Sequence, residues 1–142
     1  MAHNLTHQVK TVRVVNATVA GTTEVDSTAV DMTGFEAVRF VAGFGTLTAG
    51  QVTKLAIQES SDNSSWGASI TGTITAAMAD GDSNKLLITD LYIPTKRYVR
   101  AAVIRGAQNA VIDFVIAELY RASVMQVAAD ASVSAQIVAS TL

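Results

Sequence analysis

Hydrophobic and polar residues alternate along much of the chain, which is the pattern of half-buried β-strands. Residues 36–44, for example, place Val38, Phe40, Ala42 and Phe44 on one face of an extended segment. Similar segments follow, and turn-forming residues such as Gly, Asn, Asp and Ser separate them. The segments that the pattern predicts as strands are 9–19, 36–44, 51–59, 69–76, 86–93, 98–105 and 111–120.

The short spacing between these segments predicts an all-β fold, an antiparallel β-sandwich or a barrel. Before residue 122 there is no 10–15-residue amphipathic helix of the kind that βαβ units require. Residues 86–93 are apolar on both faces, which predicts a central strand. The link 106–109 (GAQN) predicts a hairpin between the last two strands, and Pro94 suits the end of a strand.

The last twenty residues differ from the rest, so we divide the chain into an N-terminal arm (1–8), a β-sandwich domain (9–122) and a C-terminal arm (123–142). From residue 127 onward alternate positions are apolar, which predicts an extended, strand-forming arm. Disorder is an alternative, because terminal segments often lack fixed contacts. A helix is another, since its face would contain Val124, Ala128, Ala131, Ala135, Val138 and Leu142.

The composition is poor in charge. Hydrophobic residues make up 49% of the chain and charged residues only 15%, with a net charge of −2. The absence of a basic excess argues against an electrostatic nucleic-acid partner. No stretch of about 20 apolar residues predicts a membrane span, and no apolar leader follows Met1, so we expect synthesis in the cytoplasm without membrane insertion. The mean hydropathy of +0.33 then suggests surface that other molecules cover.

Residues that could carry catalysis are sparse. The two histidines, His3 and His7, lie in the N-terminal arm, and no predicted strand carries a base beside a serine. Cysteine is absent, and no phosphate-binding glycine loop occurs. Residues 80–84 (DGDSN) resemble half of a calcium loop, but Leu91 stands where such a loop needs a bidentate glutamate. We therefore expect a plain turn there, no enzymatic activity, and neither metal nor cofactor.

Several polar and aromatic residues have competing interpretations. Trp66 follows a turn-rich segment and either covers the edge of the sandwich or stacks on a sugar. Three acids within predicted strands are expected to pair with arginines of neighbouring strands. The acids are Asp90, Asp113 and Glu118, and the arginines are Arg97, Arg100 and Arg105.

Four segments together resemble small structural proteins encoded in the head-gene region of tailed bacteriophages. They are residues 19–32 (VAGTTEVDSTAVDM), 57–66 (IQESSDNSSW), 92–100 (YIPTKRYVR) and 105–113 (RGAQNAVID). The resemblance extends over roughly residues 10–122 and does not include either arm.

The resemblance implies a capsid decoration protein, also called a cement or head-stabilising protein. Such a protein has a β-sandwich or jelly-roll-like subunit, forms a homotrimer and binds the major capsid protein on the outer surface of the phage head. Its role is mechanical, so the family supplies no catalytic residues. The alternative function is a carbohydrate- or receptor-binding sandwich of a phage tail or fibre, with Trp66, Tyr92 and Tyr98 as stacking residues.

Under the first function, the C-terminal arm could add a strand to a neighbour's sheet, with Val133 and Ile137 fixing the register. Without such a neighbour, we expect the arm to be disordered or exchanged with a trimer mate. The candidate partner- and trimer-contact residues are Leu5, His7, Trp66, Val124, Val127, Val133, Ile137 and Leu142.

Overall fold

A computed structural model describes residues 4–141 and contains nine strands and one 3-10 turn in that range. The 3-10 turn is Leu5–His7. The strands are β1 Lys10–Val15, β2 Thr18–Gly21, β3 Val25–Asp26, β4 Val30–Asp31, β5 Phe35–Leu47, β6 Val52–Ser60, β7 Leu86–Tyr92, β8 Tyr98–Gly106 and β9 Ala110–Ala122.

The strands form two antiparallel sheets, which confirms the predicted all-β sandwich. In sheet A the order is β1-β9-β5-β7. β2 pairs with residues 110–112 of β9, next to the part of β9 that pairs with β1. In sheet B, β8 pairs with β6 on one side and with β3 and β4 on the other. No helix in residues 4–141 is long and apolar enough to cross a membrane.

The core lies between the sheets and uses one face of each long strand. In β5 the predicted face is buried, since Val38, Phe40, Ala42 and Phe44 are each at most 1% exposed. The other strands add side chains of the same type from both sheets. Burying a large apolar side chain stabilises a fold by about 1.5–3 kcal/mol. The best-buried of these partners are Leu55, Ile57, Val99, Val103, Ile112, Val115 and Leu119.

The predicted strand at 69–76 is not formed as a strand of either sheet. The segment instead runs beside β6, whose Ile57 and Leu55 amides donate to the hydroxyls of Thr73 and Thr75 at 3.2 and 3.1 Å. The backbone of Gly72 has φ +87°, which departs from the extended conformation. Threonine hydroxyls thus replace main-chain carbonyls as acceptors, and the segment covers the edge of β6 without continuous ladder pairing.

The predicted hairpin at 106–109 is also wrong. β8 belongs to sheet B and β9 to sheet A, so this link carries the chain from one sheet to the other. Ala107 has φ +61° at the turn, and Gln108 N–H donates to the Gly106 carbonyl at 2.7 Å. A short turn-rich link looks the same in sequence whether it joins paired strands or crosses a sandwich.

β7 is an edge strand, although its two apolar faces predicted a central one. Among the described residues it pairs with β5 alone, from Leu86 opposite Gly43 to Tyr92 opposite Ala37. Its inner face contributes to the core, while Ile88 on the outer face is 43% exposed. The second apolar face is therefore solvent-accessible in the single chain.

The C-terminal arm forms neither strand nor helix in its described part, residues 123–141. Its first half lies along the free edge of β1. Val127 N–H donates to the His7 carbonyl at 3.0 Å, and the Arg13 amide donates to the Ser132 hydroxyl at 3.0 Å. Asp130 accepts the Ser132 amide at 2.9 Å, and this turn interrupts the extended run that the alternating pattern predicted. The first half of the arm thus contacts β1 of its own chain, whereas most of the arm's side chains are exposed.

Candidate functional site

A row of charged side chains crosses the outer face of sheet A. Asp90 of β7 and Glu118 of β9 lie on either side of Arg39 of β5 in the strand register. Arg39 Nε lies 3.7 Å from Glu118 Oε1. Tyr120 donates its hydroxyl to Asp90 at 2.6 Å, and this hydrogen bond, together with burial, raises the pKa of Tyr120 to about 12. The phenol therefore keeps its proton at any physiological pH.

The N-terminal segment and the start of the C-terminal arm border this row and form an open groove of about 590 Å³. Leu5 and Met125 contribute the apolar wall. Arg121 adds a second cation, 3.5 Å from Glu36 and 5.4 Å above the ring of Tyr92. The groove combines an apolar wall with paired charges, a combination suited to binding a polar protein surface.

Beyond the charged row, the outer face of sheet A becomes apolar. Ile88, Val41 and Ile116 lie side by side on β7, β5 and β9. Next to them, the ring of Phe114 covers Gly43, where an added Cβ would lie 2.7 Å from Phe114 Cζ. Ile88 is exposed and Ile116 is partly exposed, whereas Val41 between them is buried. Exposed apolar side chains that lie close together are characteristic of surfaces that contact other molecules.

Trp66 lies against a polar cluster on sheet B. The guanidinium of Arg100 is 4.5 Å from the centre of the indole ring, within the range of a cation–π contact. Arg100 also pairs with Asp26 at 3.0 Å and donates to Gln58 at 2.8 Å. The nearby Glu24 has its pKa raised by burial and by Asp26. One face of the indole is therefore occupied by a side chain of the same protein.

Two of the segments that carry the phage resemblance contact each other. The carboxylate of Glu59, in residues 57–66, accepts hydrogen bonds from the Thr95 amide at 3.0 Å and the Lys96 amide at 3.2 Å. The Thr95 hydroxyl donates to the same carboxylate at 2.6 Å. These bonds attach the turn at 93–97 to the end of β6. Residues 57–66 and 92–100 therefore both have a structural role in the fold.

The predicted contact residues of the two arms fall into two groups. Leu5, at 66% exposure, and Val133 line one hollow at the N-terminal end of β1. Val127 packs nearby through its bond to the His7 carbonyl. The second group consists of residues that project into solvent: Val124 at 77% and Ile137 at 87% exposure. Leu142 lies outside the described residues.

The predicted ion pairs between strand acids and arginines are wrong. Arg97 pairs with Asp31 at 2.8 Å and holds the pKa of that carboxyl well below its usual range. Arg100 pairs with Asp26. These partners lie on β3 and β4, the neighbours of β8. The acids that the sequence assigned lie in the other sheet, namely Asp90, Asp113 and Glu118.

Arg105 pairs with no carboxylate in residues 4–141 and instead binds main-chain carbonyls. It is 7% exposed and donates to the carbonyls of Val19, Thr23 and Ala110 at 3.0, 2.8 and 2.7 Å. Burial lowers its pKa. A Cβ on Gly21 would lie 2.9 Å from Arg105 Nη2, so glycine leaves room for the guanidinium.

The segment 80–84 is a turn. Asp82 accepts the Ala79 amide at 2.9 Å and pairs with Lys85 at 2.8 Å, which lowers its pKa. Asp80 accepts the Gly50 amide at 2.9 Å. Across residues 4–141, no three His, Cys, Asp or Glu side chains are grouped as metal ligands would be. His3 lies outside the described residues.

Comparison with known proteins adds evidence about the fold. No protein-family model matches the chain, and no curated protein matches it. Among solved structures, the crystal structure of PBSX exported protein XepA is similar, with a TM-score of 0.56 and 22% sequence identity. The similarity covers 99% of this chain and 46% of that one, so this chain spans about half the length of XepA. At this identity the likeness shows the fold alone.

Sequence reasoning missed the charged row and the exposed edge of β7. Asp90 and Glu118 were recognised as strand acids, but their partners Arg39 and Tyr120 come from strands that are adjacent only in the folded sheet. One signal was available: Arg39 is a charged residue in the middle of the apolar segment 36–44, which marks the outer face of β5.

Proposed function

We propose that this chain is a structural protein of a tailed-phage particle that binds the outer surface of the assembled head. In this role it bridges major capsid protein subunits and stabilises the shell by binding only the assembled state. Its action is mechanical, through repeated contacts over a lattice, and involves no catalysis. A homotrimer of the sandwich is the form that the phage resemblance implies.

The observation that carries the proposal is the amount of apolar side chain left in solvent by a chain of only 15% charged residues. Large apolar residues project from both ends and from the outer face of sheet A, which favours extensive contacts with other subunits. Those at least 39% exposed are Leu5, Val19, Val52, Ile74, Leu86, Ile88, Tyr92, Ile93, Val124, Met125, Ile137 and Val138.

Two further observations concern the fold that this role would use. The resembling segments 57–66 and 92–100 contact each other through Glu59, so the motifs act as one structural unit. The fold is also similar to that of about half of the PBSX exported protein XepA. Neither point distinguishes the head from the tail, and the location on the outer surface of the capsid is our proposal.

Binding to heads tests the proposal directly. Purified protein is mixed with expanded heads that lack it, and co-sedimentation measures bound copies per head as the concentration rises. We expect saturation at a stoichiometry set by the lattice, together with a higher temperature of head disruption. Unexpanded shells serve as the control. Absence of saturable binding to expanded heads would refute the head role.

Carbohydrate or receptor binding by a tail or fibre remains the second candidate function. Trp66 is only partly buried, but Arg100 occupies one face of its ring. A sugar would therefore have to stack on the opposite face or displace Arg100. A glycan array probed with the native protein and with Trp66→Ala separates the two functions, because only the tail role predicts a sugar signal that Trp66→Ala removes.

A further inference from the structure

β7 leaves one side of its backbone without hydrogen-bond partners. The Phe44 amide donates to the Lys85 carbonyl, and the Ile93 amide donates to the Glu36 carbonyl. In this register the backbone N–H and C=O groups of the odd-numbered residues of β7 point toward β5. The even-numbered residues direct their N–H and C=O groups away from β5. Among residues 4–141 no partner occurs for these groups of Leu86, Ile88, Asp90 and Tyr92.

Two other sheet edges, those of β1 and β6, are covered by the protein itself. The C-terminal arm lies along β1, where Val127 and Ser132 make the contacts described above. Residues 70–78 lie along β6 and bond to it through Thr73 and Thr75. An open edge with apolar side chains invites pairing with another strand, and proteins usually block it with lysine, proline or a bulge. Within residues 86–92 there is no lysine or proline, and the one charged residue is Asp90; Lys85 and Pro94 lie just outside the strand.

We propose that the β7 edge pairs antiparallel with β7 of a second copy of this chain, around a two-fold axis at Thr89. This two-fold contact is separate from the three-fold contacts of the proposed homotrimer, and it joins two single chains or two trimers. In this register Leu86 lies opposite Tyr92 of the second copy, and Ile88 lies opposite Asp90. All four open residues of each strand then gain partners, and sheet A continues from one copy into the next. Four hydrogen-bonded residue pairs in an antiparallel ladder exchange two bonds each.

The charges of the strand select this register over its neighbours. A two-fold axis at Asp90 would place the two Asp90 carboxylates directly opposite each other, which destabilises a pair of strands. An axis at Ile88 would leave Tyr92 opposite Asn84, whose amide already donates to the Gly45 carbonyl. With the axis at Thr89, each Asp90 faces an apolar side chain and keeps Arg39 and Tyr120 as neighbours in its own sheet.

Opposite charges at position 88 test the register. Ile88→Glu places a carboxylate opposite Asp90 of the second copy, twice per dimer, whereas Ile88→Lys places an ammonium there. We expect Ile88→Glu to weaken dimerisation on the order of tenfold and Ile88→Lys to preserve it. Sedimentation equilibrium gives the mass of each variant. Position 88 is exposed, so urea unfolding should show similar stability for both.

A charge on the same face but away from the edge provides the control. Ile116→Glu adds a carboxylate on β9, two strands from β7, and we expect it to leave the association unchanged. If Ile116→Glu abolishes the dimer while Ile88→Glu does not, the copies associate through the face of sheet A, and edge pairing is wrong.

Disulfide trapping offers an independent measurement, since the chain has no cysteine of its own. The double variant Leu86→Cys, Tyr92→Cys should form covalent dimers on oxidation, because paired residues have Cα atoms about 5.5 Å apart. Either single variant should not, because equal positions on the two strands would then be about 20 Å apart. A monomeric native protein at millimolar concentration, or a double variant that fails to cross-link, would overturn the proposal. Ile88→Glu and Ile88→Lys that change the measured mass by the same amount would also overturn the proposal.

Discussion

Arg105 provides the sharpest test of how the two sheets are held together. Arg105→Met keeps the apolar stem but removes three hydrogen bonds to the carbonyls of Val19, Thr23 and Ala110. Hydrogen bonds from a charged group contribute about 1.5–3 kcal/mol each. Much of this is offset by the cost of burying the cation, which is also the reason for the lowered pKa of Arg105. We expect a net loss of about 3 kcal/mol in the free energy of unfolding.

Urea denaturation, followed by circular dichroism and by Trp66 fluorescence, measures the loss. Arg105→Lys retains the charge but cannot reach three carbonyls, so it should lose about 2 kcal/mol. Gly21→Ala supplies a double-mutant cycle, because the added Cβ would crowd Arg105 Nη2. It should cost less in the Arg105→Met background than in the native one. If Arg105→Met stays within about 0.5 kcal/mol of the native protein, the guanidinium is not a structural link and the reasoning fails.

Two further predictions concern the outer face of sheet A. Gly43→Ala should lower the free energy of unfolding by about 1–2 kcal/mol, because its Cβ would collide with the Phe114 ring, and Phe114→Ala should relieve most of that loss in urea unfolding. Asp90→Asn should lower the pKa of Tyr120 from about 12 toward the ordinary 10.0, as read from the absorbance of its phenolate with Tyr120→Phe as the blank. Because the pKa is raised on folding, the stabilisation from this phenol is present below pH 10 and is lost as the pH rises through 12. If the pKa of Tyr120 is the same in Asp90→Asn as in the native protein, the hydrogen bond to Asp90 does not raise that pKa.

The alternation of apolar residues was sufficient to predict the fold class and six of the seven long segments. It worked best where one face is buried, as in residues 36–44, where Phe40 and Phe44 both lie in the core. It failed at 69–76, where threonines at alternate positions suit a strand but bind β6 through their hydroxyls. Alternation describes which side chains are buried, and it does not say which groups complete the backbone hydrogen bonds.

The site was harder to predict because it depends on which strands are neighbours. Assigning 106–109 as a hairpin placed β8 beside β9 and therefore joined the acids of one sheet to the arginines of the other. The edge position of β7 was missed for a different reason: two apolar faces predicted a central strand, but the outer face of β7 is exposed. The partner of Trp66 could not be read from the sequence either, because Arg100 lies 34 positions away and reaches it only through the pairing of β6 with β8.

The position of β9 in the chain has a consequence for biosynthesis. β1, β2 and β5 all pair with β9, which is the last strand in chain order. Translation proceeds at about 5–20 residues per second, so roughly 5–20 s separate the synthesis of β1 from that of β9. During this interval β5 can pair in sheet A with β7 alone, because its other neighbour, β9, has not yet been made. Sheet A is therefore completed only once β9 has left the ribosome, and until then β1, β2 and β5 each lack the strand that they share as a neighbour.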